Sequence, residues 1–351
     1  MNRKLLMLMT VGLSATAWLS SCQNDDGQLT QTAQREIRLS SSVGDVTRSN
    51  DAQNLLSGDT VYVWTDMVNP STTPATITPY FNAWALTANG VGGLTTLAAN
   101  NPKLFPATNA LNFYALVGNF GKKTVEEQQV PWIDAEVSEL PTTTGIQHAV
   151  LADQKDAEAY YKSDLLYAVK KNQEPVSEAV VLPFKHLLSR IQVVIVAGNG
   201  MTAGDLTGAT VELLNLKQQV TFKPAKDKDF ASQTDLASML SIPQTATSAN
   251  IQLKTSVVST VGDATGTANA SVYADAIVVP QTVSAGQFIH VKYLDRDTYY
   301  TIPAGDGLKL ESGKQYRFRL IADRIGESYE LNAITIEEWG PATTPVGVWL
   351  D

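Results

Sequence analysis

Ala179-Val180-Val181-Leu182-Pro183-Phe184-Lys185-His186-Leu187-Leu188-Ser189-Arg190-Ile191-Gln192-Val193-Val194-Ile195-Val196 is the stretch on which the fold turns. It is too long for a single strand. Pro183 cannot donate to a ladder, so an edge position or a bend is expected there, and a domain junction nearby. Outward from this run, in both directions, the chain is a series of short alternating or apolar segments punctuated by Gly, Pro, Asn and Asp. Before it lie Val61-Tyr62-Val63-Trp64, Tyr80 to Leu86, Leu111 to Val117 and Ser163 to Ala168; Ala149 to Tyr161 reads as a short helix or an irregular connection. After it, strands are predicted near Thr210 to Leu216, Gln218 to Phe222, Ile251 to Leu253, Ala276 to Val279, Phe288 to Leu294, Tyr299 to Ile302, Tyr316 to Ile321 and Leu331 to Trp339. No long amphipathic helix interrupts them. Many short strands with turn signals between them predict an all-β chain of β-sandwiches. The 351 residues exceed one usual core, which calls for two.

The front of the chain has a different character. Arg3 and Lys4 precede an apolar run from Leu5 to Leu19, too short to span a bilayer, as in a secretory signal peptide. Leu19-Ser20-Ser21-Cys22 resembles a bacterial lipobox, in which the thiol takes a diacylglyceryl group and cleavage makes Cys22 the new N-terminus. Acyl chains contribute roughly 0.8 kcal/mol per buried CH₂, so they would hold the precursor on a membrane without a spanning segment. Asp25-Asp26 resembles the acidic tag that directs lipoproteins of the Bacteroides group to the cell surface. Gln23 to Gln34 reads as a tether. From Glu36 the parity changes: Ile37, Leu39 and Val43 share one face, with Ser41 among them, and Glu36, Arg38 and Ser40 share the other. That is a half-buried strand. Gly44-Asp45 turns it into the polar stretch Val46-Thr47-Arg48-Ser49-Asn50-Asp51, where an exposed arginine offers an Arg-specific protease a place to cut the strand away.

Composition limits the partners and the chemistry. Hydrophobic residues are 44% and charged residues 17%, enough to bury a core. The net charge of -9 becomes -11 when residues 1–21, with Arg3 and Lys4, are removed; an acidic surface argues against nucleic acid. Cys22 is the only cysteine, so there is neither a disulfide framework nor a thiolate metal site. His148, His186 and His290 are far apart without metal-ligand spacing, and His186 beside Phe184 reads as structural. Glu337 and Glu338 are adjacent in a strand and point to opposite faces. Gly307 to Lys314 has the wrong spacing for a phosphate loop, Asp227 and Asp229 lack the rest of a calcium loop, and no G-x-S-x-G elbow occurs. The expectation is a protein that is not an enzyme and needs no cofactor. At the other end, Val346, Val348 and Leu350 share a face after the flexible Gly340-Pro341-Ala342-Thr343-Thr344; a terminal apolar strand must pair with its own sheet or another molecule's.

Ser163-Asp164-Leu165-Leu166-Tyr167-Ala168 followed by Leu182-Pro183-Phe184-Lys185-His186-Leu187-Leu188-Ser189-Arg190-Ile191 resembles the fimbrillin (Mfa-like, type V pilin) family of Bacteroidales surface lipoproteins. The lipobox, Val46-Thr47-Arg48, Gly58-Asp59 before a strand and the late Ile334-Thr335-Ile336 with Trp339 fit the same order. The resemblance implies two transthyretin-like β-sandwich domains in tandem after a lipoprotein signal peptide, carried to the outer membrane and cell surface. It also implies removal of the N-terminal strand by an Arg-specific protease, here after Arg48, and filling of the groove left by Ile37, Leu39 and Val43 with another subunit's C-terminal strand. Arg35 and Arg38 are rival cut sites that would leave much of the strand attached. The resulting division is 1–21 signal peptide, 22–48 tether and removable strand, 49–180 and 181–351 the two sandwiches, with Val346, Val348 and Leu350 in a donor strand at 341–351. Expected partners are other fimbrial subunits, the protease, the outer membrane through the lipid of the precursor, and a host or bacterial surface ligand for adhesion. The competing reading is a surface carbohydrate-binding lipoprotein of a glycan-uptake system, with Trp64, Trp84, Trp132, Trp339 and Trp349 as a stacking platform, although tryptophans in strands are mostly core.

Overall fold

The structure is a computed structural model that describes residues 35–43, 54–96, 102–118, 122–125, 128–131, 139–198, 200–226, 233–262, 268–323 and 330–338. Cys22, Asp25, Asp26, Arg48, Trp132, Asp227, Asp229, Trp339, Trp349 and the proposed donor residues Val346, Val348 and Leu350 lie outside the described residues. In chain order the first half contains β1 (Leu39–Val43), β2 (Thr60–Asn69), β3 (Thr76–Ala88), β4 (Gly93–Thr96), β5 (Ala110–Val117) and β6 (Lys122–Val125). It continues with β7 (Gln128–Pro131), β8 (Ile146–Ala149), α1 (Ala157–Lys162), β9 (Leu166–Gln173) and β10 (Val180–His186). The second half adds β11 (Ser189–Ala197), β12 (Thr210–Lys217), β13 (Gln219–Phe222), α2 (Gln233–Ser238), β14 (Leu240–Ser241), β15 (Ser248–Gln252) and β16 (Lys254–Gly262). It ends with β17 (Ala268–Val278), β18 (Thr282–Val283), β19 (Gly286–Tyr293), β20 (Arg296–Ile302), β21 (Leu308–Lys309), β22 (Lys314–Ala322) and β23 (Glu330–Glu338). The chain is nearly all β, as its pattern predicts. The short helix α1 forms where Asp156 caps it, its carboxylate accepting from the Ala159 amide at 2.7 Å.

The long run at 179–196 divides at Leu187-Leu188 into β10 and β11, which belong to different sheets. Seven strands in the order β1-β10-β9-β5-β2-β3-β4 close on themselves into a barrel. Ile37, Leu39, Val61, Val63, Leu111, Phe113, Leu182 and Phe184 fill it. In the second half the sheets β16-β17-β11-β22-β23 and β15-β12-β19-β20 face one another. Ile191, Val193 and Phe318 from the first meet Leu213, Phe288 and Tyr300 from the second in one core. The Phe288 and Phe318 rings lie 5.8 Å apart, and Tyr300 is 5.6 Å from Phe318. A separate three-stranded sheet, β14-β13-β8, joins a strand from before β9 to two from the second half.

Every residue of β5 is buried, an unusual result for a strand with one face in a barrel. Leu111, Phe113, Ala115 and Val117 point into the barrel, whereas Tyr114 and Leu116 join the core of the second half. Tyr62 and Trp64 of β2 and Tyr167 of β9 do the same, and the Tyr167 ring packs edge-on against Phe222 at 5.0 Å. The two cores therefore share a wall made of β2, β5 and β9.

Candidate functional site

β1 is the strand that closes the barrel. It runs parallel to β10, pairing Leu39 with Val180, Ser41 with Leu182 and Val43 with Phe184, and antiparallel to β4, pairing Leu39 with Leu94 and Ser40 with Gly93. The residues just before it are tied down as well. Ile37 donates its amide to the Lys103 carbonyl, and Phe105 donates to the Arg35 carbonyl, both at 2.8 Å. On the other side the Val180 amide donates to Arg38 O at 2.8 Å, and the Ser41 amide donates to Gly92 O at 2.7 Å. The parity read from the sequence is the parity observed: Ile37, Leu39 and Val43 are 3%, 4% and 3% exposed, and Ser41 with them is 5% exposed. Burying three such side chains contributes roughly 1.5–3 kcal/mol each, an upper value because the unfolded chain already hides some surface.

Pro183 stands in β10 at the place where its neighbours change. Val180 to Phe184 pair with β1, whereas Phe184 to His186 pair with β9. The missing amide of Pro183 is therefore tolerated beside Ser42, and β10 becomes an edge strand over this length once β1 is gone. The opposite wall is equally specific. The loop before β4 is fixed by Asn89, whose Oδ1 accepts from the amides of Val91 at 3.0 Å and Gly93 at 2.9 Å. Gly92 has φ of +96°, and a Cβ there would meet Asn54 Oδ1 at 2.9 Å and Ser41 O at 3.4 Å. Glycine lets this loop come close enough for Gly92 O to receive the Ser41 amide. Sequence reading found the strand but not these walls, since nothing in Asn89 to Gly93 marks it as the neighbour of residue 41.

The rival protease sites are described. Arg38 has an exposed guanidinium, 67% accessible and 3.8 Å from Glu36 Oε2, but its carbonyl is held by Val180. Arg35 donates to Pro175 O at 2.8 Å. The connection from β1 to the body, with Arg48, lies outside the described residues.

Each histidine has a near polar neighbour in the fold. His186 Nδ1 stands 2.8 Å from Asp164 Oδ2, with both side chains buried, so the last residue of β10 pairs with a motif residue just before β9. His148 Nε2 lies 3.0 Å from the Ser163 carbonyl. Burial pushes its pKa down to about 4, against a smaller upward pull from the Ser163 carbonyl and the charge of Asp164. His290 sits on the outer face of its sheet between Asp297 Oδ1 at 2.8 Å and Glu212 Oε2 at 3.5 Å, stacked on Tyr299 at 4.7 Å. Among the described residues no three His, Cys, Asp or Glu side chains form a group suited to a metal ion. Trp64 and Trp84, 1% and 8% exposed, belong to different cores and form no common sugar platform; that part of the carbohydrate reading is corrected, because each indole packs inside the fold.

A model of the fimbrillin-like family matches residues 47–339. The chain belongs to the fimbrillin-like family. The match begins just after β1 and covers both halves of this fimbrillin-like protein. Its fold is shared with a candidate cell adhesion protein of Bacteroides uniformis, at TM-score 0.54 and 17% identity over 87% of this chain and 98% of that one. A candidate cell adhesion protein of Bacteroides ovatus gives TM-score 0.56 and 16% identity over 88% and 98%. The curated proteins contain no match. The family is one of fimbrial proteins of the cell surface, and the site at β1 is made of strand edges and apolar side chains.

Proposed function

We propose that this chain is a structural subunit of an adhesive type V fimbria that assembles by β-strand donation. The single observation that carries this reading is that β1 is the closing strand of a barrel and is attached on both sides by main-chain hydrogen bonds. Its removal would expose the edges of β10 and β4 together with an apolar trough, and an added strand satisfies both. The precursor is lipidated at Cys22, held at the outer membrane, and cut after Arg48 by an Arg-specific protease. The barrel half, whose boundary moves from residue 180 to Leu187-Leu188 so that it keeps β10, and the second half act as tandem domains, and 341–351, with Val346, Val348 and Leu350, carries the strand given to another subunit. Because donor and acceptor are different surfaces, the contact is head to tail and builds a filament rather than a closed dimer.

The test is limited trypsin digestion of the folded precursor, sequencing of the new N-terminus, and native electrophoresis with and without other fimbrial subunits. The expected result is a new terminus at Ser49 and a ladder of oligomers. A leader that stays intact around Arg48, or a trimmed protein that never associates, overturns the reading.

A further inference from the structure

Four positions of the leader strand face into the barrel: Ile37, Leu39, Ser41 and Val43. Ile37, Leu39 and Val43 are branched apolar residues, and Ser41 is small. Ser41 lies between Leu182 of β10, its partner in the ladder, and the Gly92 carbonyl, which accepts its amide at 2.7 Å and faces its hydroxyl at 3.5 Å. Leu182 is fully buried, Ser41 itself is 5% exposed on the inward face, and the Gly92 loop is held by Asn89. A branched side chain at the Ser41 position would overpack a closed core.

We infer that the slot left by β1 selects its incoming strand by a small residue at the Ser41 position, flanked by large apolar residues at the positions of Ile37, Leu39 and Val43. This rests on the strand-exchange reading above and specifies the partner for it: a subunit whose donor strand reads large, large, small, large on its inward face. The chain's own terminal run does not meet that pattern. Val346, Val348 and Leu350 alternate in the sequence and so share one parity. Any three consecutive sites among the four include the Ser41 position, whichever direction the strand runs, so seating all three puts a branched side chain there. The slot therefore favours a strand from a different subunit over one from a second copy of this chain.

The full-length chain, cut with trypsin under native conditions, is incubated with peptides in excess, and displacement of its original leader is followed by native mass spectrometry. The peptides are residues 35–44, the same with Ser41→Ala, the same with Ser41→Leu, and residues 341–351. The first two displace the leader equally, and the last two are weaker by tenfold or more, which corresponds to about 1.4 kcal/mol or more. In the uncut chain Ser41→Leu lowers the melting temperature, whereas Ser41→Ala leaves it within a degree or two. If Ser41→Leu or residues 341–351 enter as well as the native leader peptide, the selectivity is overturned and strand exchange stands. If the native leader peptide itself fails to enter, both fall.

Discussion

Leu39 touches both walls of the slot, Val180 on one side and Leu94 on the other, and its side chain is buried with the barrel core. Leu39→Ala should cost about 2–5 kcal/mol in urea unfolding of the precursor, the range for a buried leucine truncated without collapse of its surroundings. Arg38→Ala, one residue away on the outer face, should change stability by less than about 0.5 kcal/mol, because its ion pair with Glu36 is exposed. His148 has a pH consequence. Its folded pKa of about 4 lies below the ordinary value of 6.5, so between these values the unfolded chain binds the extra proton. Stability is therefore complete above pH 6.5 and falls as the pH drops toward 4, by roughly 3 kcal/mol for a shift of this size. Urea midpoints measured from pH 7 to pH 4 should show this slope in the native chain and a shallower one in His148→Gln. The inward parity of Ile37, Leu39 and Val43 was legible because alternation is a local property. The Asp164–His186 pair was not, although both residues stand in the recognised motif, because spacing along a chain does not say which strands lie side by side.

At the scale of the element, β1 is a five-residue strand with little of its own to hold it. Its stability comes from the ladders to β10 and β4 and from the trough beneath it. The same ladders protect it. A protease must draw several residues into an extended, unpaired conformation, and the Arg38 carbonyl is already bonded to the Val180 amide. Timed trypsin digestion should therefore leave the Arg38–Leu39 bond intact in the folded precursor while the 44–53 connection is cut, and cleavage at Arg38 should appear only after denaturation. Pro183 was read as a sign of an edge or a bend. The structure gives the edge a tenant: β10 is covered by β1 over the length that includes Pro183, and only there. Strand positions could be read from period and turn residues. Strand neighbours could not, and the parallel pairing of β1 with a strand about 140 residues later, across most of the first half, has no local signature.

Over the whole molecule, the outer face of β2, β5 and β9 is not a surface. Tyr62, Trp64, Tyr114, Leu116 and Tyr167 are buried in the core of the second half. Lys226 reaches back to Asp66 of β2, with Nζ 2.9 and 2.8 Å from its two oxygens, and lies 5.4 Å over the Tyr114 ring. Burial and the charge of Asp66 raise the Tyr114 phenol well above its ordinary value, so it stays neutral at any working pH. The described residues should unfold as one cooperative unit, with tryptophan fluorescence and far-ultraviolet circular dichroism giving coincident urea transitions. Lys226→Ala should shift both together by roughly 1–3 kcal/mol, less than for a fully buried pair because water reaches the lysine. Two separated transitions would show that the shared wall does not couple the halves. Alternation and turn residues were enough to determine that this chain is all β and that its front carries a half-buried strand. Which strand shuts the barrel and which carbonyls receive it were decided only in three dimensions. Alternation records which side chains turn inward, but the room they find depends on residues far away in the chain.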